Sequence, residues 1–204
     1  MYKDAQKDGG FERGVEAGLE VILASPNFLF VREIDPPRSA PGSVRRITDI
    51  ELATRLSLFL WSSIPDEELL NTAERGQLSK PDVLKAQVAR MLNDPRAQAL
   101  TENFAGQWLH LRRLPAQNPD KVAFPDFDMR LRKAMQTETE MFFAHIVREN
   151  RSVLDFLDAD YTFVNERLAD HYGIPGIHGT TFRRVKLDPA LHRGGLLGQA
   201  SILT

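Results

Sequence analysis

Apolar residues recur every three to four positions along most of this 204-residue chain, which is the spacing of amphipathic helices. The clearest case runs from about Asp128 to Asn150, where Leu131, Met135 and Phe142 share one side. Only residues 181–187, with the sequence TFRRVKL, resemble a strand. The pattern therefore predicts an all-α fold, an irregular bundle of seven to nine helices with at most one short strand pair near the C-terminus.

Residues that favour helix ends lie at the boundaries of these periodic segments. Thr48 and Glu51 have the spacing of a capping box, in which each side chain bonds the other's backbone N–H. Thr162 is expected to cap a helix from Phe163 to Tyr172. Gly173, which can adopt a left-handed backbone, is expected to end that helix.

Proline-rich stretches and the last dozen residues suggest how the chain divides. Residues 1–34 are predicted to be an N-terminal helix of a preceding small domain, and residues 35–47 a linker. We expect residues 48–192 to form the main helical domain and residues 193–204 to be the start of a following, truncated domain. The apolar run that opens at Gly194 stops at Thr204, so we expect a longer chain to melt at a higher temperature.

Composition excludes several classes of function. The 26 basic and 28 acidic residues nearly balance, which argues against nucleic-acid binding. No apolar run reaches the ~18 residues of a membrane span. There is no cysteine, so this segment has no disulfide, no thiolate zinc site and no covalently attached haem c. The five histidines lack short metal-binding spacings, so the sequence predicts no metal site and no cofactor in this segment.

Two side chains on the long predicted helix are the candidates for catalysis. Glu138 and His145 fall within its apolar stripe, which predicts that both are partly buried. Such a pair could act as general acid and base, or supply half of a metal site. Alternatively, Glu138 is a core carboxylate bonded to an arginine such as Arg55 or Arg132, and His145 is a hydrogen-bonded core histidine.

Three polar residues are the candidates for binding. Asn103, Gln107 and His110 lie at i, i+4 and i+7 of a predicted helix, beside Gly106. An amide pair can bind a sugar or a peptide backbone. The same line could instead be a solvated surface or a hydrogen-bonding contact between helices.

Five blocks of sequence carry a family resemblance. They are ILASPNFLF (22–30), LSLFLWSSIPDEELL (56–70), NFAGQWLHLRRL (103–114), DADYTFVNERLADHYGIPG (158–176) and RGGLLGQASILT (193–204). In content and order they resemble large planctomycete-type exported proteins, which carry several adjoining domains of unknown function and often a cytochrome c domain. The resemblance implies a helical domain of a periplasmic or cell-surface protein whose haem c lies in another domain.

Two functions are compatible with these observations. The first is a structural or interaction module whose partners are neighbouring domains of the same polypeptide, and an envelope polymer or protein. The alternative is a hydrolytic or redox enzyme acting on an envelope or polysaccharide substrate. In that case Glu138 would be the acid/base, with His145, Asn103 or Gln107 in the cleft.

Overall fold

The structure, a computed structural model, describes residues 2–31, 40 and 42–204, and divides into two compact units, residues 1–46 and 47–204. The first unit contains α1 (Tyr2–Leu23), interrupted at Gly9 and Gly10, and α2 (Pro26–Leu29). Residues 32–34 of the predicted N-terminal helix lie outside the described residues. So do residues 35–39 and 41 of the predicted linker.

The second unit is a helical bundle with a two-stranded sheet. Its first part contains α3 (Asp49–Trp61), α4 (Glu67–Glu74), α5 (Pro81–Asn93), a 3-10 helix (Pro95–Ala97), a π-helical segment (Leu100–Ala105) that continues into α6 (Gly106–Trp108), and a 3-10 helix (Leu111–Ala116). The long helix α7 (Met129–Arg148) follows, and then α8 (Asp155–Asp158), β1 (Tyr161–Val164), α9 (Glu166–Tyr172) and β2 (Arg183–Lys186). Two 3-10 helices (Pro189–Leu191 and Leu196–Gly198) and α10 (Ala200–Leu203) end the chain. The chain is 61% helical, which confirms the predicted fold class.

The long helix α7 is the centre of this unit. Phe143 packs into one apolar cluster with α3, α4 and α5. Leu131 and Met135 pack into a second with α9, and Phe142 and Ile146 into a third with β1. Since α7 contributes to all three clusters, several side chains near its middle are buried, among them Glu138, Thr139 and Phe142.

The predicted capping box is present at the start of α3. The Glu51 N–H donates to Thr48 Oγ1 over 3.2 Å, and the Thr48 N–H donates to Glu51 Oε2 over 2.7 Å. These two bonds satisfy backbone donors that a helix start otherwise leaves unpaired.

The prediction that Thr162 caps a helix is wrong. Thr162 lies in β1, which pairs antiparallel with β2 so that Tyr161 faces Lys186 and Val164 faces Arg183. All four β1 residues are buried, and β-branched and aromatic side chains fit such a position. The predicted strand at residues 181–187 therefore pairs with a segment that contains the predicted helix cap, Thr162, and the predicted start of the helix at Phe163.

Asn165 is the residue that caps α9. Its Oδ1 accepts the Leu168 N–H over 3.0 Å, so the helix begins three residues later than predicted. The predicted end is correct: Gly173 adopts a left-handed backbone with φ 70°, and the Ile174 N–H donates to the Ala169 carbonyl over 2.8 Å. The motif at residues 158–176 is therefore a strand, a capped helix and a glycine turn.

The C-terminal segment packs on the main bundle. Ala200 is buried in the cluster that contains Leu168 and Tyr172, which confirms the expected contact with α9. Leu196 is also buried and belongs to the third cluster. Residues 193–204 therefore contribute to the same cores as α7 and α9.

Candidate functional site

Glu138 lies at the centre of the second unit with an exposed fraction of 0%. Thr162 donates its hydroxyl hydrogen to Oε1 over 2.5 Å, and Tyr172 donates to Oε2 over 2.6 Å. The predicted burial of this carboxylate is confirmed, but the predicted arginine partner, Arg55 or Arg132, is wrong. Two hydroxyl groups donate to Glu138 instead of an arginine, because β1 and α9 pack directly on this side of α7.

Burial strongly affects the protonation of Glu138. Loss of hydration raises its pKa to about 7, although the hydrogen bonds from Thr162 and Tyr172 and the positive charge of Arg193 act in the opposite direction. Burial and the nearby carboxylate also raise the pKa of Tyr172, so its phenol keeps its proton. Glu138 thus changes charge near neutral pH in a place that solvent does not reach.

Tyr172 connects Glu138 to the C-terminal segment. Its hydroxyl oxygen accepts the backbone N–H of Ala200 over 2.8 Å. The Arg193 guanidinium lies 4.1 Å from the centre of the Tyr172 ring, and its Nη1 donates to the Gly198 carbonyl over 2.6 Å. One phenol therefore joins α7, α9 and residues 193–200.

Thr139, the next residue of α7, makes a second connection to the same segment. Its Oγ1 lies 2.6 Å from Gln199 Oε1 and 2.5 Å from Ser201 Oγ. A threonine hydroxyl has one hydrogen, so it donates to Gln199 and accepts from Ser201. Gln199 is 2% exposed, and within the described part of the chain its Nε2 has no hydrogen-bond partner.

These connections define one buried polar cluster. Its members come from α7, β1, α9 and the C-terminal segment: Glu138, Thr139, Thr162, Tyr172, Gln199 and Ser201. Of these residues, only Glu138 was predicted from the sequence as a candidate site residue. A polar residue inside an apolar run is the sequence feature that could have indicated the other members, as with Gln199 between Leu197 and Ile202.

His145 lies apart from this cluster. It follows Glu138 by seven residues, which is about 10 Å along a helix. Its ring packs edge-on against Tyr161 and Phe163, each with ring centres 5.4 Å away, whereas Glu138 bonds Thr162. Successive side chains of a strand point to opposite sides, so β1 separates the two candidates. The structure does not bring them together as an acid/base pair.

The surroundings of His145 disfavour its charged form. Partial burial lowers its pKa, and so does the positive charge of Arg184, whose Nη1 lies 3.4 Å from Nε2. His145 lines a pocket of about 380 Å³ together with Glu140 and Thr137. A neutral imidazole there can accept or donate one hydrogen bond to a ligand.

The three candidate binding residues have different surroundings. Asn103 bonds between helices: it donates to Ser62 Oγ and accepts from Arg112 Nη2, both over 2.7 Å. Gln107 is exposed on α6. His110 follows the end of α6 with a left-handed backbone, φ 55°, so the expected helical line stops before it.

In the described residues, no group of three or more His, Cys, Asp and Glu side chains is arranged to hold a metal ion. Within the same part of the chain, no helix combines the length and the apolar character that a bilayer crossing requires.

Comparison with known families gives one match. The model of PSD4, Protein of unknown function (DUF1592), matches residues 47–174, more than half of the 204-residue chain and most of the second compact unit. No curated protein and no solved structure matches the chain. The match includes Glu138, Thr139, Thr162 and Tyr172 of the polar cluster. The chain belongs to the DUF1592 family of proteins of unknown function.

Proposed function

We propose that the DUF1592 domain is a structural and interaction module of an exported multidomain protein, one that carries haem c in another domain. The resemblance of five sequence blocks to planctomycete-type exported proteins supports this context. The partners would be neighbouring domains of the same polypeptide and an envelope polymer or protein.

The environment of Glu138 carries the structural part of this proposal. A general acid or base must reach the proton that it transfers, directly or through one water molecule. Glu138 is 0% exposed, and both its oxygens accept hydrogen bonds from the protein. A carboxylate in this position holds segments together, and its closest neighbours link α7 to the C-terminal residues 199–201.

The exported, haem-associated context has its own test. The full-length gene would be expressed with its native leader in an envelope-forming host that attaches haem c. We expect covalent haem, detected by the absorption of the reduced pyridine complex, in the envelope fraction. Residues 47–204 expressed alone should bind none. A full-length product in the cytoplasm without haem would contradict the proposed context.

The enzyme alternative rests on one observation, the pKa of about 7 at Glu138, which suits proton transfer at neutral pH. Wild type and E138Q would be incubated with an envelope polysaccharide preparation, and released reducing ends measured. If Glu138 has a structural role, neither protein should release reducing ends. Release by wild type that E138Q abolishes, while the variant stays folded, would establish the enzyme instead.

A further inference from the structure

A pocket of about 600 Å³ lies between the first half of α7 and the start of α9. Its apolar surface comes from Met129 and Ala134 of α7 and from Phe182 just before β2. Thr137 and Thr180 add hydroxyl groups. Pockets of this size with a mainly apolar lining and a few polar groups are typical of small-molecule sites.

Two cations on α7 line this pocket without a partner. Arg130 and Lys133 are three residues apart, so their side chains lie on the same side of the helix. Among the described residues, no hydrogen bond or ion pair reaches either side chain. Arg130 interacts electrostatically with Asp128, whose pKa is lowered first by the Leu131 N–H and to a smaller extent by Arg130.

The other charged groups of the pocket are largely engaged. Arg167 donates to the Asp126 carbonyl, and its Nε lies 3.8 Å from Asp128 Oδ1. Glu166 accepts the Gly179 N–H over 2.8 Å, and this bond is the main reason that its pKa is lowered.

Glu166 has a second charged neighbour, since His178 Nδ1 lies 3.6 Å from its Oε1. Asp170 lines the pocket, and in the described part of the chain its carboxylate has no hydrogen-bond or ion-pair partner. Among the described residues, the charged groups of this pocket that make no hydrogen bond or ion pair are therefore the two cations Arg130 and Lys133 and the Asp170 carboxylate.

We propose that this pocket binds a small organic anion, with its carboxylate on Arg130 and Lys133 and its apolar body on Met129, Ala134 and Phe182. A guanidinium can bond both oxygens of a carboxylate, and an ammonium group adds a third donor. The site is distinct from the buried polar cluster, and the inference does not depend on the proposed structural function.

The chemistry of the ligand can be tested with a matched pair of probes. Sodium hexanoate and hexanamide have the same six-carbon chain, but only hexanoate carries a carboxylate. Each would be titrated into the ¹⁵N-labelled protein and followed by two-dimensional NMR. We expect hexanoate to shift the amide signals of Lys133, Ala134, Gly179 and Thr180 in a saturable way, and hexanamide to bind at least tenfold more weakly.

Charge variants locate the site. The double variant R130E/K133E should weaken hexanoate binding at least tenfold, and D170N should strengthen it because a repelling carboxylate is removed. K85E, which reverses an exposed lysine of a different pocket on α5, is the matched control and should bind as wild type does.

Several results would overturn the inference. They are equal binding of hexanoate and hexanamide, saturable shifts confined to another part of the domain, and an R130E/K133E variant that keeps the wild-type spectrum and affinity. An absence of any shift at concentrations where hexanoate stays monomeric would also refute it.

Discussion

The Tyr172 hydroxyl lies 2.6 Å from Oε2 of Glu138 and donates its hydrogen to it. The Tyr172 hydroxyl oxygen also accepts the Ala200 N–H, so this single atom connects the central helix to the C-terminal segment. Hydrogen bonds to charged groups contribute about 1.5–3 kcal/mol each, more than neutral ones. This link is the structural basis of the predictions for Tyr172 and Glu138.

Replacing Tyr172 by phenylalanine should destabilise the domain by about 2–4 kcal/mol, because the Ala200 N–H and one oxygen of Glu138 lose their partner inside the core. Urea unfolding followed by circular dichroism measures the loss. Tyr161→Phe is the matched control: that hydroxyl makes a 3.4 Å contact with Asp155 and interacts with the exposed Arg151, and its loss should cost under about 1 kcal/mol. Equal costs for the two variants would contradict the role given to Tyr172.

Thr139→Val keeps the shape of the side chain but removes its hydroxyl. Gln199 Oε1 then loses its donor in the core and Ser201 loses its acceptor, so we expect a loss of about 1–3 kcal/mol. Thr137→Val, on the pocket-facing side of the same helix, should change stability by less than about 0.5 kcal/mol. Chemical denaturation of both variants under one set of conditions measures the two losses. A Thr139 variant as stable as the Thr137 variant would contradict a stabilising hydrogen bond between Thr139 and Gln199.

The sequence predicted the parts of this site that depend on helix periodicity. The long helix lies within two residues of its predicted bounds, and the stripe of Leu131, Met135 and Phe142 placed Glu138 in the core. Periodicity within one helix cannot identify the partners of a buried side chain, because those come from other elements. An arginine was expected for this reason, where the structure has Thr162 and Tyr172.

The strand β1 shows a second limit of sequence patterns. Its four residues are too few for a clear alternation, and Thr162 has the chemistry of both a helix cap and a strand residue. Its pairing with residues 183–186 decides between them, and that contact spans about twenty positions of sequence. His110 shows a related limit: α6 ends before it and its backbone is left-handed, so it does not continue the predicted helical line of Asn103 and Gln107.

Gly195→Ala should be among the most disruptive changes in the C-terminal segment. Gly195 has φ 53°, which side-chain-bearing residues rarely adopt, and an added Cβ would lie 2.5 Å from the Leu157 carbonyl group. Strain and overpacking together predict a loss of about 2–5 kcal/mol. At Gly194 the same Cβ would meet its nearest neighbour at 3.4 Å, so Gly194→Ala should cost under about 1 kcal/mol. Thermal melts that rank the two variants equally would contradict this placement of the backbone.

Asp66 links the start of α4 to two arginines. It accepts the Leu69 N–H over 3.0 Å and bonds Arg90 through both oxygens, and Arg96 lies 3.2 Å from it. Its pKa is lowered to about 2, first by the Arg90 hydrogen bond. The folded state therefore holds its proton less tightly than the unfolded chain, and the stabilisation, complete above about pH 4, is lost as the pH falls through 2.

Asp66→Ala should cost about 1–2 kcal/mol at pH 7 and progressively less toward pH 2. Asp82→Ala is the control, since Asp82 is an exposed first-turn residue of α5 and should contribute only a few tenths of a kcal/mol. Denaturation curves at several pH values give both quantities. A cost at Asp66 that does not shrink on acidification would contradict the ion-pair account.

The central claim is that Glu138 is a buried structural carboxylate, and the pH dependence of stability tests it most directly. The pKa of Glu138 is about 7 in the folded protein against 4.5 for an ordinary glutamate, so the folded state binds more protons between these values. The free energy of unfolding must then fall as the pH rises from about 5 to 7, by about 3 kcal/mol in total from this residue.

The measurement is the difference in unfolding free energy between E138Q and wild type from pH 4.5 to 8.5. A glutamine side chain cannot ionise, so the variant lacks this decline, while all other titrating groups are shared with wild type. We predict that the difference shifts by about 3 kcal/mol in favour of E138Q across the range, with the midpoint of the change between pH 5 and 7. Two parallel stability curves would contradict the claim, since they would mean that Glu138 titrates as an ordinary solvent-exposed carboxylate.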